Sequence, residues 1–193
     1  MGFVPQDVFE DYANDYDRWF DQHRDEYLAE LARIRRVLPA PDSRAIEVGV
    51  GSGRFAAPLG IALGIEPSLE LGRMARRRGI EIVRGRAEAL PFKDGSCSSV
   101  LMVTVICFLD NPKVAFREIH RILSQGGCLI TAFIEREGMI HRKYLQKGGK
   151  GRFLSRARFY SREEVRAFLN ETGFNVETVD TRVGFCVLAA QKI

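Results

Sequence analysis

No stretch of this 193-residue chain is long and apolar enough to cross a bilayer: the longest such run, residues 100–109, counts ten residues even with Thr104 included, against the ~20 a membrane helix needs. A membrane-spanning protein is thereby excluded. Residues 1–7 lack a basic stretch followed by an apolar segment, so nothing there marks the chain for secretion, and a cytoplasmic location is expected. Cysteine is sparse. Cys97, Cys107, Cys128 and Cys186 make no CxxC pair and no zinc spacing, which leaves them as small apolar residues of a reduced core. Repeats and low-complexity tracts are missing as well. Acidic residues are absent from 138–162, a segment with eight basic ones: Arg142, Lys143, Lys147, Lys150, Arg152, Arg156, Arg158 and Arg162. The other 168 residues carry 21 basic against 25 acidic, so the net charge of +4 resides in that one segment.

What is present is an ordinary globular composition, 46% apolar and 28% charged, at the length of one domain with a core of its own. Residues 27–38 place Tyr27, Leu28, Leu31, Ile34 and Leu38 on one helical face, and Pro39 ends the run. Upstream, residues 7–26 combine eight acids with Phe9, Tyr12, Tyr16, Trp19 and Phe20; a disordered acidic tail is poor in aromatics, so a further helical piece packed on the domain is expected. Strands are expected over 45–48, 61–65, 80–83, 100–106 and 128–134, with helices between them at 54–59, 69–78 and from Pro112 to the glycines 126 and 127. Ser68 and Asn111 supply N-caps, and Ser161 to Glu164 reads as a capping box opening a helix that Gly173 closes. Residues 175–181 and 185–191 face each other across a short turn and read as an antiparallel pair. Alternating strands and helices imply a doubly wound, mainly parallel sheet of the α/β class, here closed by a β-hairpin.

The first strand runs straight into Gly49-x-Gly51-x-Gly53 at the start of a helix, where free backbone N–H groups let a ligand approach. Alone the loop is ambiguous, because Gly51-x-Gly53-x-x-Ala56 also satisfies the dinucleotide fingerprint. Glu66 ends the second strand 19 residues after Glu47, and a carboxylate there can accept both hydroxyls of an adenosine ribose in either cofactor class.

Five stretches in register carry a resemblance: Glu47-Val-Gly-Val-Gly-Ser-Gly53, Gly64-Ile-Glu-Pro-Ser68, Gly85-Arg-Ala-Glu-Ala-Leu-Pro-Phe92, the run from Arg117 to Gly127, and the run from Phe159 to Phe174. Together they resemble the class I S-adenosylmethionine-dependent methyltransferases, and within them the type 11 branch that includes ubiquinone and menaquinone methyltransferases. The resemblance covers residues 9–190 and implies a Rossmann-like, seven-stranded sheet with an antiparallel C-terminal hairpin and an N-terminal helical lid. It divides one domain into a lid (1–40), a cofactor-binding core (44–134), a basic loop near the acceptor site (135–160), and a C-terminal helix and hairpin (161–193). Carried over by position, it implies that Gly49, Gly51 and Gly53 line the methionine part of S-adenosylmethionine, with Glu47 near its ammonium group. By the same likeness Glu66 holds the ribose hydroxyls, Ala87 and Glu88 border the adenine, and Thr104 lies beside the sulfonium. Tyr12 and Tyr16, in a Tyr-x-x-x-Tyr-Asp-x-Trp pattern, resemble lid residues that cover the site. The chain departs from the family at Glu47 and Val50, where Asp and Cys are usual, at Arg86, where an acid is usual, and near Ser99, where an Asp is missing.

The implied reaction moves a methyl group to an N, O or C atom of a small-molecule acceptor by in-line displacement, with S-adenosylhomocysteine as product. Such chemistry needs alignment and exclusion of water, effects that contribute ~7 to 11 kcal/mol, and neither a metal nor a covalent nucleophile. A base is required only for an acceptor that arrives protonated. His141, after the fifth strand, and His23, beside the lid, are candidates; His120 sits in a helix and reads as structural. No catalytic residue is assigned. The basic segment reads as a solvated loop, as a funnel for an anionic small substrate, or as an RNA-binding surface. The absence of an (Asp/Asn)-Pro-Pro-Tyr motif after the fourth strand counts against nucleic acid. Two other functions compete: a non-catalytic binder of the same cofactor, and a nicotinamide-dependent oxidoreductase resting on the glycine loop alone.

Overall fold

The computed structural model describes residues 6–193, with side chains from Val8 onward. The reading of the first residues as free of a targeting signal falls largely outside that span. One seven-stranded sheet organises the chain, in the order β3-β2-β1-β4-β5-β7-β6. Its members are β1 (Ala45–Val48), β2 (Leu63–Ile65), β3 (Glu81–Val83), β4 (Cys97–Val103), β5 (Leu123–Ile134), β6 (Phe174–Arg182) and β7 (Phe185–Lys192). The first five pair in parallel, while β7 runs antiparallel to both β5 and β6. This is the doubly wound, Rossmann-like sheet with a closing hairpin that the strand and turn signals imply.

Eight helices accompany it among the described residues: α1 (Gln6–Asp11), α2 (Ala13–Gln22), α3 (Arg24–Val37), α4 (Ala56–Leu59), α5 (Leu69–Arg77), α6 (Pro112–Ile122), α7 (Met139–Gln146) and α8 (Arg162–Glu171). Their ends follow local chemistry. Ser68 Oγ accepts the Leu71 N–H at 3.2 Å, Asn111 caps α6 ahead of Pro112, and Ser161 and Glu164 form a complete capping box. None of these helices is long and apolar enough to cross a membrane.

Three expectations need correction. The fourth strand ends at Val103, because Thr104 takes a left-handed backbone conformation (φ +53°) and Ile106–Phe108 form a 3-10 turn. Helix α6 stops at Ile122, short of the glycines expected to end it, and β5 begins at Leu123. The basic segment is not all loop. It holds α7, which buries none of its residues fully, and periodicity signals burial rather than helicity in a helix this short and exposed.

The core lies on both sheet faces. One side packs Val100, Met102, Phe116, Ile119 and Phe133 with α6 and α8; the other packs Leu101, Ile130, Val187, Ile34 and Phe55 with α3 and α4. Arg33 pins α3 to the hairpin. Only 7% exposed, it donates to Asp180 Oδ2 at 3.0 Å and to the carbonyls of Asp180, Arg182 and Phe185 at 2.6, 3.3 and 2.9 Å. Removing it leaves three carbonyls and a carboxylate short of a donor, so Arg33→Ala is expected to lower stability by about 3 kcal/mol in urea unfolding. A loss below about 0.5 kcal/mol would show that water replaces the guanidinium freely.

Candidate active site

The sheet order reverses direction between β1 and β4, and in open α/β sheets ligands settle in the crevice beyond the carboxyl ends of the strands at that point. A half-open cavity lies there. It encloses about 800 Å³ of empty space, open solvent at its mouth included. Its floor is the loop after β1, its far wall the turn after β4, and its cover the N-terminal helices, through Phe9 and Tyr16.

The glycine loop is tightly built. Gly49 and Val50 donate to the Ile65 carbonyl at 2.8 and 3.0 Å, while Gly49, Gly51 and Gly53 all adopt positive φ. A Cβ on Gly49 would come within 2.3 Å of Val105, and one on Gly51 within 3.2 Å of the Tyr16 ring and hydroxyl. Gly49 is thus required for space and for backbone angle, and Gly51 for its backbone angle, with the Tyr16 ring close against it. Gly53 does different work, since a Cβ there would press on Ala75 of α5 at 3.2 Å.

Two acids are buried under this loop. Glu66 is 5% exposed; its Oε2 accepts the Gly51 N–H at 2.8 Å and its Oε1 the Ser68 N–H at 2.9 Å. Burial outweighs those two donors and raises its pKa from the ordinary 4.5 to about 7. Glu47 is 1% exposed and is pushed well above the usual carboxylate range, first by burial. The Ala56 N–H reaches its carboxyl, yet Oε2 has no partner. Glu88, on the opposite wall, likewise leaves Oε1 buried and unpaired. Tyr16 lies near both lower acids, and burial with their negative charge raises its pKa.

Seven of the ten expected cofactor residues line the cavity: Tyr16, Gly49, Gly51, Glu66, Ala87, Glu88 and Thr104. Three do not. Glu47 lies buried in β1, Gly53 faces α5, and Tyr12 is 42% exposed with the Arg152 guanidinium 3.9 Å from its ring centre. Sequence reasoning missed Phe9, Phe108 and Leu109, apolar residues without a motif of their own, and Phe153, which stacks on Phe9 at 5.3 Å. None of the histidines lines the cavity. His141 accepts the Glu137 N–H at 3.0 Å and packs on Phe159; His23 stacks on Trp19; His120 packs edge-on against Phe174.

Residues 46–131 match the family described as a methyltransferase domain. A solved structure from Thermotoga maritima, an S-adenosylmethionine-dependent methyltransferase described as a possible histamine N-methyltransferase, is 38% identical. The match covers 98% of this chain and 100% of that one, with a TM-score of 0.89. The chain belongs to the S-adenosylmethionine-dependent methyltransferases. An uncharacterised protein of Methanocaldococcus jannaschii is 38% identical over 175 residues, 90% of this methyltransferase and 84% of the relative. The demethylmenaquinone methyltransferase of Renibacterium salmoninarum is 29% identical over 136 residues, 65% of this chain and 56% of that one.

The cavity fits the family's cofactor on its own chemistry: a floor whose backbone is bare at Gly49 and Gly51, and unpartnered buried carboxyl oxygens on Glu88 in its wall and on Glu47 in the strand leading to it. In the free methyltransferase a raised Glu66 pKa contributes stability below about 4.5 that is lost as pH rises through about 7. The melting temperature of the wild type minus that of Glu66→Gln is therefore expected to fall as pH goes from 4.5 to 8. A difference that stays flat or rises would mean the buried carboxylate is not penalised.

Proposed function

We propose that this methyltransferase moves the methyl group of S-adenosylmethionine to an N, O or C atom of a small anionic acceptor by in-line displacement. The observation that carries the cofactor pose is Glu66. Each of its oxygens spends one lone pair on a backbone N–H and retains another, which suits two ribose hydroxyls. In this pose Glu47 lies near the ammonium group, Gly49 and Gly51 border the methionine chain, Ala87 and Glu88 border the adenine, and Thr104 stands beside the sulfonium. The cofactor supplies a methyl carbon on a sulfonium, a leaving group that needs no activation. As the acceptor bonds to that carbon, the carbon–sulfur bond breaks and its electron pair stays on sulfur.

The protein's part is alignment and the exclusion of water. Phe9, Val103, Val105, Phe108 and Leu109 provide the dry wall. Thr104 is fixed by three contacts: its N–H donates to Ala132 O at 2.7 Å, its hydroxyl to Val103 O at 2.8 Å, and its carbonyl accepts from Cys107 Sγ at 3.0 Å. These hold a β-branched residue in a left-handed conformation, the kind of strain that persists where the surroundings over-determine it.

The anionic character of the acceptor rests on the basic segment. Among the described residues, the side chains of Arg142, Lys143, Lys147, Lys150 and Arg158 pair with no carboxylate. The segment also reaches the site: Phe153 packs on Phe9 and Tyr16, and the Arg158 N–H donates to Cys107 O at 2.8 Å beside Phe108. Cations on a segment that touches the lid would raise the local concentration of anions near the site.

Calorimetric titration of S-adenosylhomocysteine tests the cofactor half. Loss of the charge-assisted pair in Glu66→Ala is expected to cost about 1.5 to 3 kcal/mol, tenfold or more in affinity; an unchanged affinity would remove Glu66 from the pose. A panel of matched anionic and neutral acceptors, read by S-adenosylhomocysteine release, tests the other half. Turnover is expected with anionic members and is expected to weaken in Lys150→Glu/Arg158→Glu through a higher KM. No turnover with any member would favour a non-catalytic binder, and a preference for neutral acceptors would remove the anionic reading.

A further inference from the structure

Asp17 does not touch the cavity, yet it is tied to the glycine loop more firmly than any other residue of the lid helices. Arg54, which directly follows Gly53, donates to it through Nε at 2.8 Å and Nη2 at 2.9 Å. Arg78 donates to it through Nη2 at 2.9 Å and, through Nη1, to the Ser52 carbonyl at 2.9 Å. Both partners of the Arg54 pair are largely shielded, with side chains 16% and 19% exposed, and the aspartate is held ionised with a pKa of about 2. Arg54 is anchored in turn by Asp21 and, at its carbonyl, by the Tyr27 hydroxyl. The clamp thus closes on residues 52–54, the far side of the loop that forms the cavity floor.

Tyr16 is the neighbour of Asp17 on α2. At 3.6 residues per turn, consecutive side chains leave a helix about 100° apart, so the two point to different surroundings. Tyr16 reaches over the inner side of the loop, where a Cβ on Gly51 would sit 3.2 Å from its ring, and its hydroxyl stands near Glu47 and Glu66. One helical turn therefore grips the glycine loop from both sides, with a charged clamp outside and an aromatic ring within.

We propose that Asp17 is a positioning residue for cofactor binding: clamped between Arg54 and Arg78, it seats Tyr16 over the glycine loop and so completes the cofactor site from outside it. The proposal rests on the cofactor pose given above. A mere staple of the lid would contribute to stability without selective effect on the cofactor; a positioning residue acts through Tyr16, and the two roles separate in a double-mutant cycle.

The experiment is calorimetric titration of S-adenosylhomocysteine into the full chain as wild type, Asp17→Asn, Tyr16→Ala and the double variant, with thermal unfolding of each. Asp17→Asn is expected to weaken binding about tenfold in the wild-type background and less than about twofold once Tyr16 is gone. Asp17→Glu, which keeps the charge, is expected to restore most of the affinity. Arg33→Ala, a destabilised control remote from the clamp, is expected to keep wild-type affinity. Equal losses in both Tyr16 backgrounds would overturn the proposal, as would an Asp17→Asn affinity within about twofold of wild type. If Asp17→Asn does not unfold cooperatively, Arg78→Met opens only the outer half of the clamp and carries the same test. A wild type blind to S-adenosylhomocysteine would overturn the cofactor pose, and this proposal with it.

Discussion

Glu47 and Glu66 are withdrawn from water beneath a single glycine loop, and no guanidinium or ammonium group among the described residues pairs with either. Burying an ionised carboxylate without a cation is costly, and the usual escape is protonation. The raised pKa of both groups is that escape. A ligand that brings a cation and several hydroxyl donors relieves the same cost by another route. The site is thus built around an unmet electrostatic need, beneath a loop whose glycines, fixed at positive φ, leave the backbone bare toward the cavity.

The fold makes the arrangement affordable. Strand β1 is the middle one of the five parallel strands, buried along its whole length, and it delivers Glu47 and then Gly49 to the reversal point beside β4. Strand β2 delivers Glu66 to the same level, in register with β1 through Val48 and Ile65. Two lids close the result. The aromatic cover of Phe9, Tyr16, Phe108 and Phe153 packs edge-on or stacked, and the charged clamp of Asp17, Arg54 and Arg78 holds it down. The basic segment meets the lid again where Arg152 pairs with Asp15 and covers the Tyr12 ring.

Much of this was legible in the sequence where local chemistry decides. The strand over 45–48, the caps at Ser68, Asn111 and Ser161, and the closing hairpin follow from turn residues and apolar runs, and the structure places them where those signals do. The misplaced end of β4 has a tertiary cause. Residues 104–106 are as apolar as a strand, yet the Thr104 N–H is bonded to Ala132 O while its backbone turns away from the sheet, a conformation that no propensity favours for a β-branched residue. Helix α7 was missed for the opposite reason: its face is not buried, so no apolar period marks it. Tyr12 and Tyr16 look equivalent in the pattern, but α2 begins between them, and only Tyr16 is carried inward. The partners of Asp17 lie 37 and 61 residues away, and no spacing rule reaches that far.

The crystal structure of the S-adenosylhomocysteine complex tests the central claim most directly. The account predicts both ribose hydroxyls at hydrogen-bond distance from Glu66, ~2.7 Å, with the ammonium group at Glu47 and the Tyr16 ring still over Gly51. A ligand bound with its adenine toward Glu47, or with the ribose turned from Glu66 into solvent, would contradict it.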